Sequence, residues 1–497
     1  MDKINVGFIG CGRISDLHVL AYRKNRRARL LAVCDTNPGL LAARKSEWKA
    51  EREYADYREL LADPDIDAVE IITPHKLHEP MVAAAVEAKK HISLQKPMTT
   101  SLASADRMVA CAKKGGIVFK VNDIYVCYPP IVLARKMIDD GIIGDPQLLR
   151  LKMIGSPHGG WKIDAPSYDW RYEEFAEGRL SETFDHGHHE WAVAWYLLGE
   201  VERVSAWIDS LDGIVDSPVS AMWKYKDGLR FGVGEFAHAS DLVVPSKYYS
   251  NDENFEITGS KGIIYVHRCT GNIHSGPAVS LFTSKGWRYF PKVKSDWADG
   301  FVASAENFFD AVRGEKPPLL SGDEGREVLR FAFAVQKSAR KRREVYLEEL
   351  DRPFPGLYTW TRRRKEMKAS FLVANKPSLF GERLSKYAVQ AGALTEKLME
   401  RFEPPEGAGW KSIAGLKLTA DGGVPEQLFT IRVEGNRAFL EKGRLDPRAK
   451  VTLIIPAGTW AAILLGKKRL ESALFTGKLK VEGEPHEGLK IRGAFKI

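Results

Sequence analysis

Two short stretches of the sequence concentrate groups capable of binding and of proton chemistry. Gly10-Cys11-Gly12-Arg13-Ile14-Ser15 follows the strand-like run Ile4–Ile9 and precedes a helical pattern. Gly10 permits a tight turn, and Gly12 lets the backbone approach a pyrophosphate. A helix opening there offers free N–H groups and a partial positive charge. Ser15 stands where the third glycine of such a fingerprint belongs, so the run alone is a weak signal. Asp35 strengthens it, because it closes the next apolar run, Leu30–Cys34, where a carboxylate meets the adenosine ribose. That carboxylate also repels a 2′-phosphate, and the following Thr36-Asn37 supply no arginine to replace it, which favours NAD over NADP. The second stretch, Asp185-His186-Gly187-His188-His189, gathers a carboxylate and three imidazoles. Such groups suit proton transfer near neutral pH or, given further ligands, a metal.

The surrounding pattern supplies elements to position these groups. From residue 4 to about 122, short apolar runs rich in β-branched residues occur at Val6–Ile9, Leu30–Val33, Ala68–Ile72, His91–Leu94 and Ile117–Val121. They alternate with helical stretches such as Glu79–Lys89 and Ser101–Lys114. This predicts a doubly wound parallel sheet whose right-handed crossovers place a ligand crevice at the carboxyl ends of the strands. After residue 123 a helix at Pro130–Asp139 leads into strand-like segments at Gln147–Ile154, Val201–Ile208, Ser220–Trp223, Phe231–Ala237, Glu256–Thr258 and Ile263–Val266. Few helices separate them, so a mostly antiparallel open sheet is expected. Helices at Ser304–Val312 and Asp323–Ala339 should return the chain to the first domain. Arg352-Pro353-Phe354-Pro355-Gly356 and the solvated run Arg362-Arg363-Arg364-Lys365 mark a linker. The expected organisation is an α/β Rossmann domain (1–122), an α+β substrate and oligomerisation domain (123–347), a linker (348–375) and a C-terminal α+β domain (376–497).

Composition narrows the classes. With 497 residues, 44% hydrophobic and 28% charged, the chain reads as an ordinary globular protein. A net charge of +9 suits an anionic ligand such as a dinucleotide, but no basic face with interleaved aromatics points to nucleic acid. The 5 cysteines form no C-x-x-C pair and none follows Cys269, which argues against disulfides and a zinc site. No signal peptide or bilayer-length apolar stretch is apparent, so a cytoplasmic protein without a membrane span is expected.

Further segments in register with the glycine turn carry a family resemblance. They are Thr73-Pro74-His75-Lys76-Leu77-His78 after one strand, Gln95-Lys96-Pro97 after the next, the D-x-G-x-H segment Asp185–His189, and the turns Gly141–Pro146 and Gly259–Gly262. Over roughly residues 4–347 the chain resembles the glucose–fructose oxidoreductase and inositol dehydrogenase family, Gfo/Idh/MocA. The resemblance implies that Lys96, Asp185 and His189 flank a nicotinamide. His189 would exchange the hydroxyl proton, Asp185 one helical turn earlier would orient the imidazole or hold a substrate hydroxyl, and Lys96 would stabilise alkoxide character. Cofactor contacts are expected from Gly10, Cys11, Gly12, Arg13, Ile14, Asp35, Thr36, Thr73, Pro74, His78, Gln95, Lys96 and Asn122. Substrate contacts are expected from Lys96, Asn122, Trp170, Arg171, His186 and His188, with His158 and Tyr125 as weaker candidates. No metal is expected, since the family needs none and no second ligand group is evident in sequence. Two departures stand out: Gln95 replaces the glutamate before the lysine, and Ala192 stands where an acid often follows the motif histidine.

Residues 376–497 resemble the sterol-carrier-protein family. The matching features are Gly415–Thr419, Gln427–Glu434, Arg437–Lys442, Ala449–Ile455 and the tail Ala473–Gly483. This implies an apolar cavity, with the helix Thr459–Gly466 as a candidate wall. The same residues also fit a packed core or a subunit interface. Together the readings imply an NAD-dependent oxidoreductase acting on a secondary hydroxyl or ketone of a polyol, sugar or alicyclic substrate, in a homo-oligomer, with a lipid or other hydrophobic ligand for the C-terminal domain. Redox-neutral bond cleavage by transient oxidation, and a non-catalytic NAD/lipid sensor or carrier, are the alternatives.

Overall fold

The computed structural model describes residues 3–23, 25–162, 166–211, 215–351, 384–404 and 409–497. The chain divides into two compact units at Trp360/Thr361. Most of the expected linker, from residue 352 onward and including its basic run, lies outside the described residues.

The first unit begins with a six-stranded parallel sheet of β1 (Ile4–Ile9), β2 (Ala28–Cys34), β3 (Arg52–Tyr54), β4 (Ala68–Ile71), β5 (His91–Gln95) and β6 (Phe119–Asn122), in the order β3-β2-β1-β4-β5-β6. Its central strands are buried on both faces, as their continuous Val/Ile/Leu runs require. The periodicity gives no sign of β3: Arg-Glu-Tyr is short and polar, and it pairs only with β2 at the sheet edge. Between β5 and β6 the helix Leu102–Gly115 is capped by the Ser101 side chain and stopped by Gly116 at φ +68°.

A nine-stranded sheet follows, built from β7 (Pro146–Gly155), β8 (Val201–Ile208), β9 (Val219–Tyr225), β10 (Phe231–His238), β11 (Asn251–Gly259), β12 (Gly262–Val266), β13 (Val279–Thr283), β14 (Gly286–Tyr289) and β15 (Val345–Tyr346). It is antiparallel except where β10 runs parallel to β7. The helix His188–Leu198 is buried along most of its length. Two later helices tie this sheet to the first. Phe308 and Phe309 of the helix Ala298–Val312 share a core cluster with Val6 and Phe8. The helix Gly322–Lys341, started by a Ser321/Glu324 capping box, sits so close to β6 that a Cβ on Gly325 would lie 2.4 Å from Val121.

The second unit has a five-stranded sheet of β16 (Lys411–Thr419), β17 (Gln427–Glu434), β18 (Arg437–Lys442), β19 (Val451–Pro456) and β20 (Lys480–Gly483), ordered β18-β17-β16-β19-β20. The helix Ala457–Leu464 is buried along its whole length. Trp460, expected to line a cavity, borders one of about 10 Å³ together with Leu416, Ile431, Val451 and Ile491. That is room on the order of a single water.

Candidate active site

The glycine turn takes the conformation its residue types demand. Gly10 sits at φ +99°, and a Cβ there would lie 2.2 Å from the Ile72 carbonyl oxygen. Around Gly12 the space is open, and a Cβ there would meet no heavy atom within 4 Å. Asp35 shapes the turn directly: its carboxylate accepts from the N–H of Cys11 at 2.9 Å and of Asn37 at 2.9 Å. No lysine or arginine forms an ion pair with it among the described residues. Ser15 fits the third glycine's place, since it is fully buried and its Oγ donates to the Gly10 carbonyl at 3.0 Å. The helix behind it is a single turn, Ser15–His18, continued as 3₁₀ over Val19–Ala21, so its dipole is shorter than the sequence implied. Arg13 leans over the Trp161 ring at 4.5 Å, Ile14 packs against the core, and Thr36 is exposed.

The expected acid–base residues converge at the carboxyl ends of β5 and β6, but not in the pairing the sequence suggested. Lys96 Nζ donates to the Asp185 carbonyl at 2.8 Å and to Asp185 Oδ1 at 3.1 Å. Arg171 Nε donates to the other oxygen of the same carboxylate at 2.8 Å. Burial opposes ionisation of Asp185, yet Lys96, Arg171 and His75 together hold it well below the usual carboxylate range. Asp185 therefore braces two cations and does not orient His189. The reason is local: residues Ser181–His186 form a π-helical turn, and the regular helix starts only at His188. A side chain at Gly187 would block this geometry, because a Cβ there would lie 2.3 Å from the Glu182 carbonyl oxygen.

Asp123, which no sequence motif marks, takes the orienting role. This fully buried carboxylate contacts His189 Nδ1 at 2.8 Å and His188 Nδ1 at 3.1 Å. Burial opposes its charge, but the two imidazoles hold it far below the ordinary carboxylate range. The His189 ring also stacks on Tyr125, with centroids 4.1 Å apart and planes 8° from parallel. Burial lowers the His189 pKa to about 4, Asp123 opposing and Lys96 adding to the fall. With Nδ1 engaged, Nε2 has no hydrogen-bond partner among the described residues.

Other expected residues play supporting parts. Asn122 is buried: its Oδ1 accepts from Ser304 at 2.6 Å, and its Nδ2 lies 3.4 Å from His18. Gln95 receives the Lys96 N–H at 2.8 Å and places its amide 3.1 Å from His18 Nε2, whose other nitrogen lies 2.5 Å from the buried Glu70. The charge missing at Gln95 is thus present one strand away on β4. His78, expected at the cofactor, is fully buried between the Thr73 and Met98 carbonyls, at 2.9 and 3.1 Å. It joins two loops and presents no ring to the cleft. Thr73 turns its hydroxyl to Met81, 3.4 Å away. His75, on Pro74's other side, holds Glu174 at 2.8 Å and meets the Trp170 ring edge-on at 4.9 Å. His186 faces Glu253 of β11 and Glu190, ligand-type groups that no sequence pattern connects to it. His158 lies in a bridge to Val243.

Residues 4–123 match the Gfo/Idh/MocA model described as an oxidoreductase family with an NAD-binding Rossmann fold, and residues 135–347 match its C-terminal alpha/beta domain. Residues 396–496 match the SCP-2 sterol transfer family. Myo-inositol 2-dehydrogenase of Thermotoga maritima is 28% identical over 357 residues, 70% of this chain and 99% of that protein. Levoglucosan dehydrogenase of Pseudarthrobacter phenanthrenivorans is 27% identical over 393 residues, 69% of this chain and 97% of that protein. A solved levoglucosan dehydrogenase in complex with NADH and levoglucosan superimposes with a TM-score of 0.60 at 25% identity, over 70% of this chain and 100% of that one.

Proposed function

The chain belongs to the Gfo/Idh/MocA oxidoreductase family, and from that premise we propose that it is an NAD-dependent dehydrogenase of a secondary hydroxyl, or the matching ketone, on a polyol, sugar or alicyclic substrate. The observation that carries this reading is an imidazole clamped through Nδ1 by Asp123, its Nε2 free, beside the Lys96 ammonium. The Gly10–Ile14 turn and Asp35 would hold NAD, which supplies the hydride acceptor when bound. The chain's own groups do the rest. Lys96 Nζ donates to the substrate oxygen and favours its alkoxide character. His189 Nε2 takes the hydroxyl proton, with Asp123 fixing the tautomer. Asp185 holds Lys96 and Arg171 at their stations. Relatives named for inositol and levoglucosan support a ring polyol as substrate.

Preference for NAD over NADP rests on Asp35, whose carboxylate meets no described cationic side chain that could receive a 2′-phosphate. Self-association is assigned to the nine-stranded sheet, where Trp207, Met222, Phe231 and Trp287 stand 68%, 49%, 47% and 52% exposed. For the C-terminal unit we propose a hydrophobic ligand, supported by its match to the SCP-2 sterol transfer family, with Trp460 beside the small cavity as one wall of the site. No described helix is long and apolar enough to cross a membrane.

Purified protein given NAD and a panel of inositols, anhydrosugars and hydrophobic conjugates should form reduced nicotinamide, read by absorbance, and Lys96→Met should abolish it. No absorbance change with any substrate sinks the reading. A tightly held dinucleotide that is not consumed during turnover favours redox-neutral cleavage instead.

A further inference from the structure

Beside the acid–base pair lies a second polar cluster that the proposed chemistry does not use. His186 Nε2 is 3.1 Å from Glu253 Oε1, 3.4 Å from Glu190 Oε1 and 3.2 Å from Asn251 Nδ2. The three ionisable groups come from separate elements: the π-helical turn, the helix His188–Leu198 and β11. One ligand atom from each lies within 4.8 Å of the others. Both glutamates are fully buried at the side chain. Neither forms an ion pair with a lysine or arginine among the described residues, and both Glu190 oxygens are buried without a hydrogen-bond partner. Buried carboxylates are strongly disfavoured unless cations meet them, and the His186 imidazole offers at most one charge to the two.

The hydrogen bonding inside the cluster also conflicts. His186 Nε2 faces an amide donor and two carboxylate acceptors. A proton on it opposes Asn251, and a lone pair on it opposes the glutamates. The Asn251 amide also donates to Glu253 Oε1, which fixes its orientation and steadies that carboxylate. A cation at the centre, in place of the imidazole proton, meets the Nε2 lone pair and both carboxylates together. The spacing is in range: ligands bound about 2.0–2.2 Å from a first-row ion stand about 2.8–3.1 Å apart along the edge of an octahedron and about 3.3–3.6 Å apart along that of a tetrahedron, and the separations from His186 Nε2 are 3.1 and 3.4 Å.

We propose that His186, Glu190 and Glu253, supported by Asn251, form a binding site for a divalent first-row transition ion such as Mn²⁺ or Zn²⁺. The mixed nitrogen and oxygen donors favour such ions over Mg²⁺ and Ca²⁺. His186 is the ligand that reaches the surface, at 22% side-chain exposure, so the ion enters and keeps an open position on that side. The His189 ring is 5.7 Å away between centroids, which places that open position where a second hydroxyl of the substrate could ligate. The proposal stands apart from the dehydrogenase reading, since metal binding is measured without substrate or NAD.

The test is titration of the full-length, chelator-treated protein with Mn²⁺ alone, followed by electron paramagnetic resonance. Saturable binding is expected, displaced by Zn²⁺, with spin-echo modulation from an imidazole nitrogen. His186→Asn should remove that modulation and weaken binding about 10- to 100-fold, the size of loss typical when a metal site is disturbed. Glu190→Gln should weaken binding similarly. Because Glu190 lies in the core, the modulation in the unaltered protein serves as the readout that no folding defect can mimic. The trio of exposed Glu484 and His486 with buried Glu487 could also take up Mn²⁺, so the signal must survive His486→Gln. Absence of saturable binding, bound Mn²⁺ without nitrogen modulation, or modulation lost in His486→Gln and kept in His186→Asn each overturns the proposal.

Discussion

The cleft of the first unit and the core of the C-terminal unit treat buried polarity in opposite ways. Around the cleft, Asp123, Glu190 and Glu253 lie out of solvent and Asp185 largely so, with histidines, Lys96 and Arg171 set against them. Several of their atoms remain unsatisfied, among them His188 Nε2 and both oxygens of Glu190. In the C-terminal unit the deepest polar groups serve their neighbours: Thr395 accepts from the Trp460 indole at 2.9 Å and donates to the Ala391 carbonyl at 2.7 Å. Ser412 donates to Glu487 at 2.6 Å, and Lys490 covers the other oxygen at 2.9 Å. Burying charge is costly, so its concentration around the cleft supports the chemistry proposed there.

The contrast can be broken most sharply at Lys96 and His189. Lys96→Met or His189→Gln should lower turnover by about 10²–10⁴-fold, while dinucleotide binding, followed by fluorescence, stays near that of the unaltered protein. Comparable loss from a C-terminal substitution would erase the distinction between the units. Next in size is Asp123→Asn, expected to cost on the order of 10²-fold in turnover by releasing the imidazole from its tautomer. Because Asp123 partly offsets the fall in the His189 pKa, its removal should also move the acid limb of the pH–rate profile to lower pH. A profile that stays in place would count against His189 as the base.

The buried imidazole makes a further prediction about stability. His189 is lowered to about 4 in the folded chain, by burial first, and His78 to about 3 for the same reason. Unfolded histidine titrates near 6.5. The contribution of these two groups is therefore complete above about pH 6.5 and is lost as the pH falls toward 4, where the unfolded chain binds the extra protons. Between pH 7 and pH 5 they pull the melting temperature down, against Glu182, Asp252 and His186, whose raised pKa values favour the folded chain as pH falls, and His78→Gln should remove its share of the fall. The depressed aspartates, Asp123 and Asp185, lose their contribution only below about 3.9 and do not explain a loss in this window.

A smaller effect is expected at the cofactor. Asp35→Ser should raise the KM for NAD roughly tenfold and narrow its advantage over NADP, since one carboxylate both shapes the Cys11 turn and repels phosphate. The smallest effect on turnover belongs to Trp460→Ala. It should destabilise the C-terminal unit by about 3–5 kcal/mol, seen as an earlier melting transition, while oxidation of a small polyol is unchanged. A fall in turnover matching the fall in stability would join the two units functionally.

Much of this is legible in the sequence, because much of it is local. Alternating apolar runs locate β1, β2, β4, β5 and β6, and the pairs Gln427–Glu434 and Arg437–Lys442 coincide with β17 and β18. The glycine turn and Asp35 are short-range partners whose spacing fixes their meaning. What stays hidden is set by long-range topology. Asp123 meets His189 across 66 residues, and Glu253 meets His186 across 67. No periodicity connects such positions. The helical spacing of Asp185 and His189 misleads for the opposite reason: a rule for regular helices does not hold across a π-helical turn.

The shared grip of Asp123 on His188 and His189 has a mechanical side. Consecutive residues on a helix project about 100° apart, yet here both rings converge on one carboxylate that follows the last strand of the dinucleotide-binding sheet. The first turn of the helix is thereby pinned to that strand at two points. A hinge motion that rotates one sheet against the other must strain or release this double tether. Opening and closing of the cleft would then change the basicity of His189 together with its position, so that a movement of the backbone is read out as a change in proton affinity.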